Sequence, residues 1–208
     1  MTDEDIEAFK VGHSPANWNI PPEEESSETF GYHFPVNRSF LVDKIVIPNY
    51  NYKGEFAGLL TRSYHGTKIY RVWYKRQEMS HWNLFGFYQN QESIRRKRSV
   101  VLVESFFDMI AIRPWVPNAV STQTAFVSKI QLAFLKRSVN HVIFAYNDDF
   151  GKEYNTGVEA TRKGKRLASN LGLRASAIEL PRGVNDFSNL RELNPDLSNY
   201  FAQYYLTE

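Results

Sequence analysis

Three groups of acidic residues stand at the ends of predicted strands in the second half of the chain. They follow three separate apolar runs: Glu104 the first, Asp148 and Asp149 the second, and Asp186, in a loop, the third. Asp108 comes four residues after Glu104, about one helical turn, so the two side chains would face the same way. The spacing predicts that carboxylates from separate segments meet at one place.

Carboxylates that meet in this way repel one another, which costs stability unless a cation lies between them. Hard divalent ions such as Mg²⁺ prefer carboxylate and water oxygens and bridge a protein to phosphate. A pair of such ions stabilises the attacking and leaving oxygens of a displacement at phosphorus. The acids therefore indicate phosphoryl transfer that depends on a pair of Mg²⁺ or Mn²⁺ ions. The alternative is that each acid merely caps a helix, since Asp and Glu favour helix starts.

The elements that must position these acids alternate between strands and helices. Apolar runs predict strands at 100–103, 119–122, 141–146 and 175–180, and helical patterns predict helices at 106–111, 129–136 and 153–170. This alternation predicts an α/β fold with a parallel sheet and helices on both faces. Ligands of such sheets bind beyond the carboxyl ends of the strands, where the acids stand.

The first half of the chain has a different pattern. It predicts a short helix at 3–9, an exposed acidic loop at 21–28 and a hairpin of strands at 44–48 and 56–62, followed by a strand at 68–75. The run Arg95–Arg98 is interpreted as a solvated linker, with contact to phosphate as the alternative. The chain is expected to divide into an α+β subdomain, residues 1–98, and an α/β domain, residues 99–208.

Composition excludes several classes of protein. The chain has 208 residues and no cysteine, which excludes disulfides and thiolate zinc sites and fits a reducing compartment. No apolar run reaches the roughly 18 residues of a membrane span, and the N-terminus is acidic, unlike a signal peptide. We expect a cytoplasmic protein without a membrane partner.

Charge is distributed unevenly along the chain. Residues 1–30 carry a formal charge of −7, and residues 31–208 carry +9. A body this basic suits a polyanionic partner such as nucleic acid. Ordinary solvated lysines and arginines are the alternative explanation.

The sequence around each acidic group resembles the Toprim family of phosphoryl-transfer domains. Residues 101–108, VLVESFFD, are similar to the family's strand followed by Glu-Gly, two residues and Asp. Residues 142–151, VIFAYNDDFG, resemble the strand that leads into Asp-x-Asp and a Gly, and residues 180–186, LPRGVND, resemble the loop that brings a further acid. The resemblance implies a Rossmann-like Toprim catalytic domain at 99–208.

The first half of the chain resembles the polymerase core of DnaG-like bacterial primases. Residues 2–15 are similar to its acidic helix and Phe-x-x-Gly-x-x-Pro segment, and residues 44–62 to its glycine-rich hairpin. Residues 68–70 and 84–87 fall at two further family segments. The resemblance implies a divergent, phage-like primase core that makes RNA primers from nucleoside triphosphates (NTPs) on single-stranded DNA.

The resemblance also implies roles for individual residues. Glu104, Asp149 and Asp186 would be catalytic and hold the metal ions, with Asp148 or Asp108 assisting and Asn147 at the family's first Asp position. The residues that would contact nucleic acid or NTP are Lys44, Arg62, Lys68, Arg71 and Lys75. A replicative helicase or a separate zinc-module chain would be the protein partner.

The sequence departs from the family pattern at three places. Asn147 stands where the family has the first acid of Asp-x-Asp, so one metal should bind more weakly. Ser105 replaces the usual glycine after Glu104, and the middle loop, 120–125, lacks its glycine. Two alternatives to a primase therefore stay open: a Toprim-type nuclease, and a catalytically weak subunit that binds single-stranded DNA in a replication complex.

Overall fold

The computed structural model of the chain describes five ranges of residues. These are 1–14, 41–63, 70–74, 81–149 and 153–205, with the backbone alone for 70–74 and for residue 205. The chain divides into two compact units: residues 2–49 with 56–75, and Met1 with 50–55 and 76–208. The boundary predicted between residues 98 and 99 stays a prediction.

The first unit contains one described helix and one four-stranded sheet. Helix α1 is Asp3–Phe9, as predicted, and begins at a capping box formed by Thr2 and Asp5. The strands are β1 Gly12–Ser14, β2 Lys44–Tyr50, β3 Phe56–Ser63 and β4 Tyr70–Tyr74, in the order β1-β2-β3-β4. Strand β1 pairs antiparallel with β2, and β3 pairs antiparallel with β4. The predicted strands on both sides of the turn at 51–55 are confirmed.

The second unit is built on a four-stranded parallel sheet, as the alternating pattern predicted. Its strands are β5 Ser99–Val103, β6 Ala119–Ser121, β7 His141–Phe144 and β8 Arg174–Ala177, in the order β6-β5-β7-β8. Leu102 of β5 lies in register with Val120 of β6 and Phe144 of β7. The carboxyl ends of these three strands are therefore level at one edge of the sheet.

Six helices of the second unit fall in the described part of the chain. They are α2 Phe87–Lys97, α3 Phe106–Ile112, α4 Lys129–Leu135, α5 Thr156–Asn170, α6 Phe187–Leu193 and α7 Ser198–Tyr205. Side chains from α2, α4 and α5 share one core cluster with Leu102, Val142 and Phe144 of the sheet. The alternate strand residues Val101 and Val103 are also fully buried, and α3 packs on α6. Both faces of the sheet are covered.

Helix α5 approaches the sheet closely because its inward side carries small residues. Gly157, Ala160, Gly164 and Ala168 are buried at helical spacing. A Cβ added to Gly164 would lie 2.4 Å from the Phe144 ring, which is closer than any van der Waals contact allows. The small side chains thus set the distance between α5 and β7.

Several predicted boundaries differ from the structure. Strand β7 ends at Phe144 instead of residue 146, and α5 begins at Thr156 instead of residue 153. The basic run after residue 94 is not a linker, since Arg95, Arg96 and Lys97 form the last turn of α2. Cations are favourable there because the helix dipole is negative at its C-terminus. None of the described helices is long and apolar enough to cross a lipid bilayer.

Candidate functional site

The predicted acidic groups lie at the carboxyl edge of the parallel sheet. Glu104 directly follows β5, Asp148 and Asp149 follow β7, and Asp186 begins α6, and all four are half-buried. This is the edge at which ligands of parallel sheets bind. The structure thus places the acids from separate segments on one side of the sheet.

Glu104 is held through its backbone by the loop after β6. The Ser121 hydroxyl donates to the Glu104 carbonyl oxygen at 2.8 Å, and the Gln123 N–H donates to the Ser121 Oγ at 3.0 Å. The buried Tyr146 hydroxyl lies near the Glu104 carboxylate. Burial, reinforced by this negative charge, raises the pKa of Tyr146 above its ordinary value, so its hydroxyl keeps its proton.

Asn155 connects the acidic loop after β7 to the start of α5. Its Nδ2 donates to Asp148 Oδ1, and its Oδ1 accepts from the backbone N–H groups of Asp149 at 3.3 Å and Val158 at 3.1 Å. The Asp148 N–H donates to the Asn185 carbonyl oxygen at 2.9 Å. These bonds fix the loop of Asp148 and Asp149 beside the loop of Asp186. Sequence reasoning missed Asn155, whose capping position depends on where α5 begins.

The helix-capping alternative holds for Asp186 alone among the three groups. Its Oδ1 accepts from the Asn189 N–H at 2.6 Å, as the N-cap of α6. Ser105 caps α3, and Asn155 caps α5. Capping therefore does not account for the acids that follow β5 and β7.

Asp108 lies in a different setting from the other acids. It is only 3% exposed, and Ser105 Oγ donates to its Oδ2 at 2.6 Å. The Ser188 N–H and hydroxyl both donate to its Oδ1 at 3.3 Å. Burial raises the pKa of Asp108, and the nearby Asp186 charge raises it further against the opposing hydrogen bonds. Asp108 fastens α3 to α6, and its assisting role with metal stays a prediction.

Asn147 presents a buried acceptor at this edge. Its Oδ1 is shielded from solvent and has no hydrogen-bond partner. A Cβ added to Gly157 would lie 1.7 Å from the Asn147 carbonyl oxygen, so a glycine is required where α5 meets this loop. Sequence reasoning assigned the motif's glycine to Gly151, which lies outside the described residues. Gly157 is a second residue that it missed.

Gln123 is a third residue that sequence reasoning missed. Its backbone is left-handed, with φ of 59°, a conformation that favours glycine. Both polar atoms of its side-chain amide are buried and have no hydrogen-bond partner. The signal in the sequence was the middle loop without its usual glycine, since Gln123 stands in that loop.

The donor set at this edge fits a hard divalent cation in its chemistry. Within the described ranges, no three His, Asp or Glu side chains gather closely enough to hold one ion. The atoms available are nevertheless carboxylate oxygens together with the unpartnered amide oxygen of Asn147, and Mg²⁺ and Mn²⁺ favour such oxygens. The assignment of individual ligands stays a prediction.

The predicted basic residues lie in the first unit. Lys44 begins β2, and its Nζ donates to Ser63 Oγ at 3.1 Å. Arg62 lies in β3, in register with Tyr70 of β4, and the backbone of Arg71 follows in β4. Lys68 and Lys75 lie outside the described residues. Contact of these five residues with nucleic acid or NTP stays a prediction.

The class of domain is defined by the parallel sheet and its acidic edge. Residues 101–190 match the family model described as Toprim-like. The match covers the last three residues of β5, all of β6 to β8 and all three acidic groups, which supports the Toprim resemblance found in the sequence.

The particular relatives are bacterial DNA primases. The chain is 25% identical over 216 residues to the DNA primase of Borreliella burgdorferi, covering 94% of this chain and 40% of that protein. Its fold matches the E. coli primase catalytic core with a TM-score of 0.75 at 19% identity, covering 97% of this chain and 69% of that one.

A DnaG primase catalytic domain bound to single-stranded DNA also matches, with a TM-score of 0.75 at 18% identity, covering 99% of this chain and 68% of that one. The expected resemblance to the DnaG-like catalytic core is confirmed, and the chain has that fold.

We expect Asn155→Ala to affect both stability and metal binding. Loss of this N-cap should cost about 1–2 kcal/mol in the free energy of unfolding and release the loop of Asp148 and Asp149. Ser128→Ala is the matched control, because Ser128 caps α4 without touching an acid. Urea unfolding and Mn²⁺ titration should show similar stability losses in both variants but weaker Mn²⁺ binding in Asn155→Ala alone. Equal Mn²⁺ affinity in the two variants would contradict the assigned role of Asn155.

Gln123→Gly should be more stable than Gln123→Ala by about 1 kcal/mol. Both variants lack the amide, and they differ in the Cβ that a left-handed residue carries at a cost of about 1–2 kcal/mol, partly offset by the backbone entropy of glycine. Thermal and urea unfolding of the two variants measure this difference directly. An alanine variant as stable as the glycine variant would show that the backbone at this position is not left-handed.

Proposed function

We propose that this chain is the catalytic core of a DNA primase. Such a core synthesises short RNA primers on a single-stranded DNA template by nucleotidyl transfer from NTPs. The observation that carries the proposal is the level carboxyl edge at which β5, β7 and the start of α6 present Glu104, Asp149 and Asp186. The Toprim-like match over residues 101–190 and the primase relatives support it.

The reaction would join the primer 3′-oxygen to the α-phosphorus of the NTP and release pyrophosphate. Glu104, Asp149 and Asp186 would hold a pair of Mg²⁺ or Mn²⁺ ions, with Asp148 and Asn147 beside them. Bound divalent ions supply charge neutralisation at the triphosphate. Glu104 is half-buried and directly follows β5. Its carboxylate would take the proton that the 3′-hydroxyl loses.

The template and the NTP would be contacted by basic residues of the first unit: Lys44, Arg62, Lys68, Arg71 and Lys75. Lysine and arginine suit this task because they offset phosphate charge and fix the position of the strand. One solved relative of the same fold is bound to single-stranded DNA, which supports such a template here.

The wider setting belongs to the same proposal. The chain spans 40% of the length of its B. burgdorferi relative. The activity of a whole primase is therefore a proposal for this chain. A replicative helicase or a separate zinc-module chain would be the protein partner. A cytoplasmic location, in a bacterial cell or in a host infected by the bacteriophage that encodes the chain, fits this activity.

A second candidate is a catalytically weak subunit that binds single-stranded DNA. The observation that favours it is Asn147, which stands at the family's first Asp position and brings no charge. A Toprim-type nuclease is the other alternative, because the acidic edge alone does not distinguish strand cleavage from synthesis.

Primer synthesis on single-stranded DNA with labelled ribonucleotides tests the proposal. The native chain with Mg²⁺ or Mn²⁺ should give short RNA, and Glu104→Gln and Asp149→Asn should each lower the yield at least a hundredfold because a metal-binding charge is lost. Asn147→Asp should raise the yield or lower the metal concentration required, since it adds a charged ligand. Ser169→Ala, an exposed change on α5, is the control.

Each other outcome has a distinct meaning. Metal-dependent cleavage of the template without RNA would identify a nuclease. DNA binding without product, even in Asn147→Asp, would identify a binding subunit. Product that survives Glu104→Gln and Asp149→Asn would contradict the assigned site.

A further inference from the structure

Helix α5 and the two loops that lead into α4 and α5 carry an exposed surface that the proposed function leaves unused. We call it the α4–α5 face and define it by Phe126, Tyr154, Val158, Arg162 and Lys163. Phe126 is 41% exposed, Tyr154 60% and Val158 57%. Contiguous exposed apolar side chains that are rimmed by polar residues mark interaction sites.

The members of the α4–α5 face contact one another across the two segments. Lys163 Nζ lies 5.1 Å from the centroid of the Phe126 ring, within the range of a cation–π contact. Val158 and Arg162 are four residues apart on α5 and therefore lie on one side of the helix. Tyr154 is close enough to Arg162 to interact with its guanidinium electrostatically. The surface is continuous from the loop after β6 to the middle of α5.

The charge around this face is strongly positive. The exposed cations of α5 are Arg162, Lys163, Lys165 and Arg166, and the exposed Lys129 begins α4. Glu159 is the single acid of α5, and the exposed acid Glu153 directly precedes Tyr154.

Glu159 orients the two cations nearest the rings. It accepts from Arg162 Nε and Nη2, each at 2.9 Å, and from Lys163 Nζ at 3.2 Å. These contacts hold the pKa of Glu159 at about 2, so it is ionised at neutral pH. They keep the guanidinium and the ammonium group beside the aromatic side chains, and the excess positive charge favours a polyanion.

We propose that the α4–α5 face binds single-stranded polynucleotide. Phe126 and Tyr154 would stack on bases, while Arg162 and Lys163 contact the phosphates between them. Alternation of aromatic rings and cations suits an unpaired strand because every base offers a flat face and every linkage a negative charge. An acidic protein would use the charges but has no equal need for cations set against exposed rings.

The position of the α4–α5 face relative to the acidic edge indicates what a bound polynucleotide would do. Phe126 lies in the loop after β6, and Tyr154 lies between the loop of Asp148 and Asp149 and the start of α5. Both strands, β6 and β7, end at the acidic edge, so a polynucleotide on this face would continue alongside Glu104 and Asp149. That this polynucleotide is the template rests on the proposed primase function.

Fluorescence anisotropy with the full chain and a labelled 20-nucleotide oligodeoxythymidine tests the proposal. Phe126→Ala with Tyr154→Ala should weaken binding roughly tenfold, because each base stack contributes at least severalfold. Arg162→Gln with Lys163→Gln should weaken binding and make the salt dependence shallower, by roughly 0.7 in the log–log slope for each phosphate that the variant no longer neutralises.

The matched controls change exposed residues away from the proposed binding surface. Lys136→Gln with Arg137→Gln removes the same charge at the other end of α4, and Leu193→Ala truncates a 68% exposed side chain on α6. Binding should change less than twofold in either control. A duplex of the same length should bind more weakly than the single strand, and its affinity should change little in the aromatic variant.

Three results would overturn the proposal. The first is that the native chain does not bind the oligonucleotide. The second is that the face variants and the control variants, all as thermally stable as the native chain, lose affinity equally. The third is that duplex and single strand bind equally well. Primer synthesis is measured separately. A chain that makes no primer but binds through this face would refute the proposed function and leave this inference standing.

Discussion

The register of the parallel strands β5, β6 and β7 is the constraint on which the rest of the second unit depends. Glu104, Asp149 and Asp186 come from separate segments, yet the level ends of β5, β6 and β7 bring them to one edge. Neutral hydrogen-bonding groups hold the segments that carry them: Ser121 holds the Glu104 backbone, and Asn155 holds the loop after β7. Such bonds fix the position of an acid and add no positive charge, and bound cations would supply that charge.

Three residues around the acids have unusual backbone or side-chain surroundings. Asn147 keeps an unpartnered buried oxygen, and Gln123 keeps a left-handed backbone with a buried amide. Both features cost stability, and proteins retain such costs most often at functional sites. Gly157 avoids a steric cost, because the absence of a side chain lets α5 approach the Asn147 carbonyl oxygen. The loop after β7 and the start of α5 are thus packed tightly against each other at the acidic edge of the sheet.

Much of this arrangement was predictable from residue patterns. Continuous β-branched runs such as Val100–Val103 belong to buried parallel strands, and the register of those strands then places any acid that follows them. Helices α2, α6 and α7 were missed, whereas α1, α3 and α4, which are no longer than these, were predicted. Asn155, Gly157 and Gln123 depend on tertiary contacts: a shared cap, the clearance for one Cβ, and a single backbone angle. Pattern reasoning carries no information on such contacts.

The proposed primase function assigns the basic strands of the first unit to the polyanionic template and the acids of the second unit to nucleotidyl transfer. The α4–α5 face would add a path for that template beside the acids. Of these surfaces, only the acidic edge must bind metal for the proposed chemistry to proceed. Its metal occupancy is therefore the feature on which the proposed activity depends most directly.

Iron-mediated hydroxyl-radical cleavage of the folded chain tests this point. Fe²⁺ substituted for Mg²⁺, with ascorbate and peroxide, cuts the backbone close to the bound ion. Cuts clustered at residues near Glu104, Asp148–Asp149 and Asp186, and suppressed by excess Mg²⁺, are the predicted result. Cuts elsewhere, or none near these three segments in a folded chain, would contradict the claim that the acidic edge is a metal site.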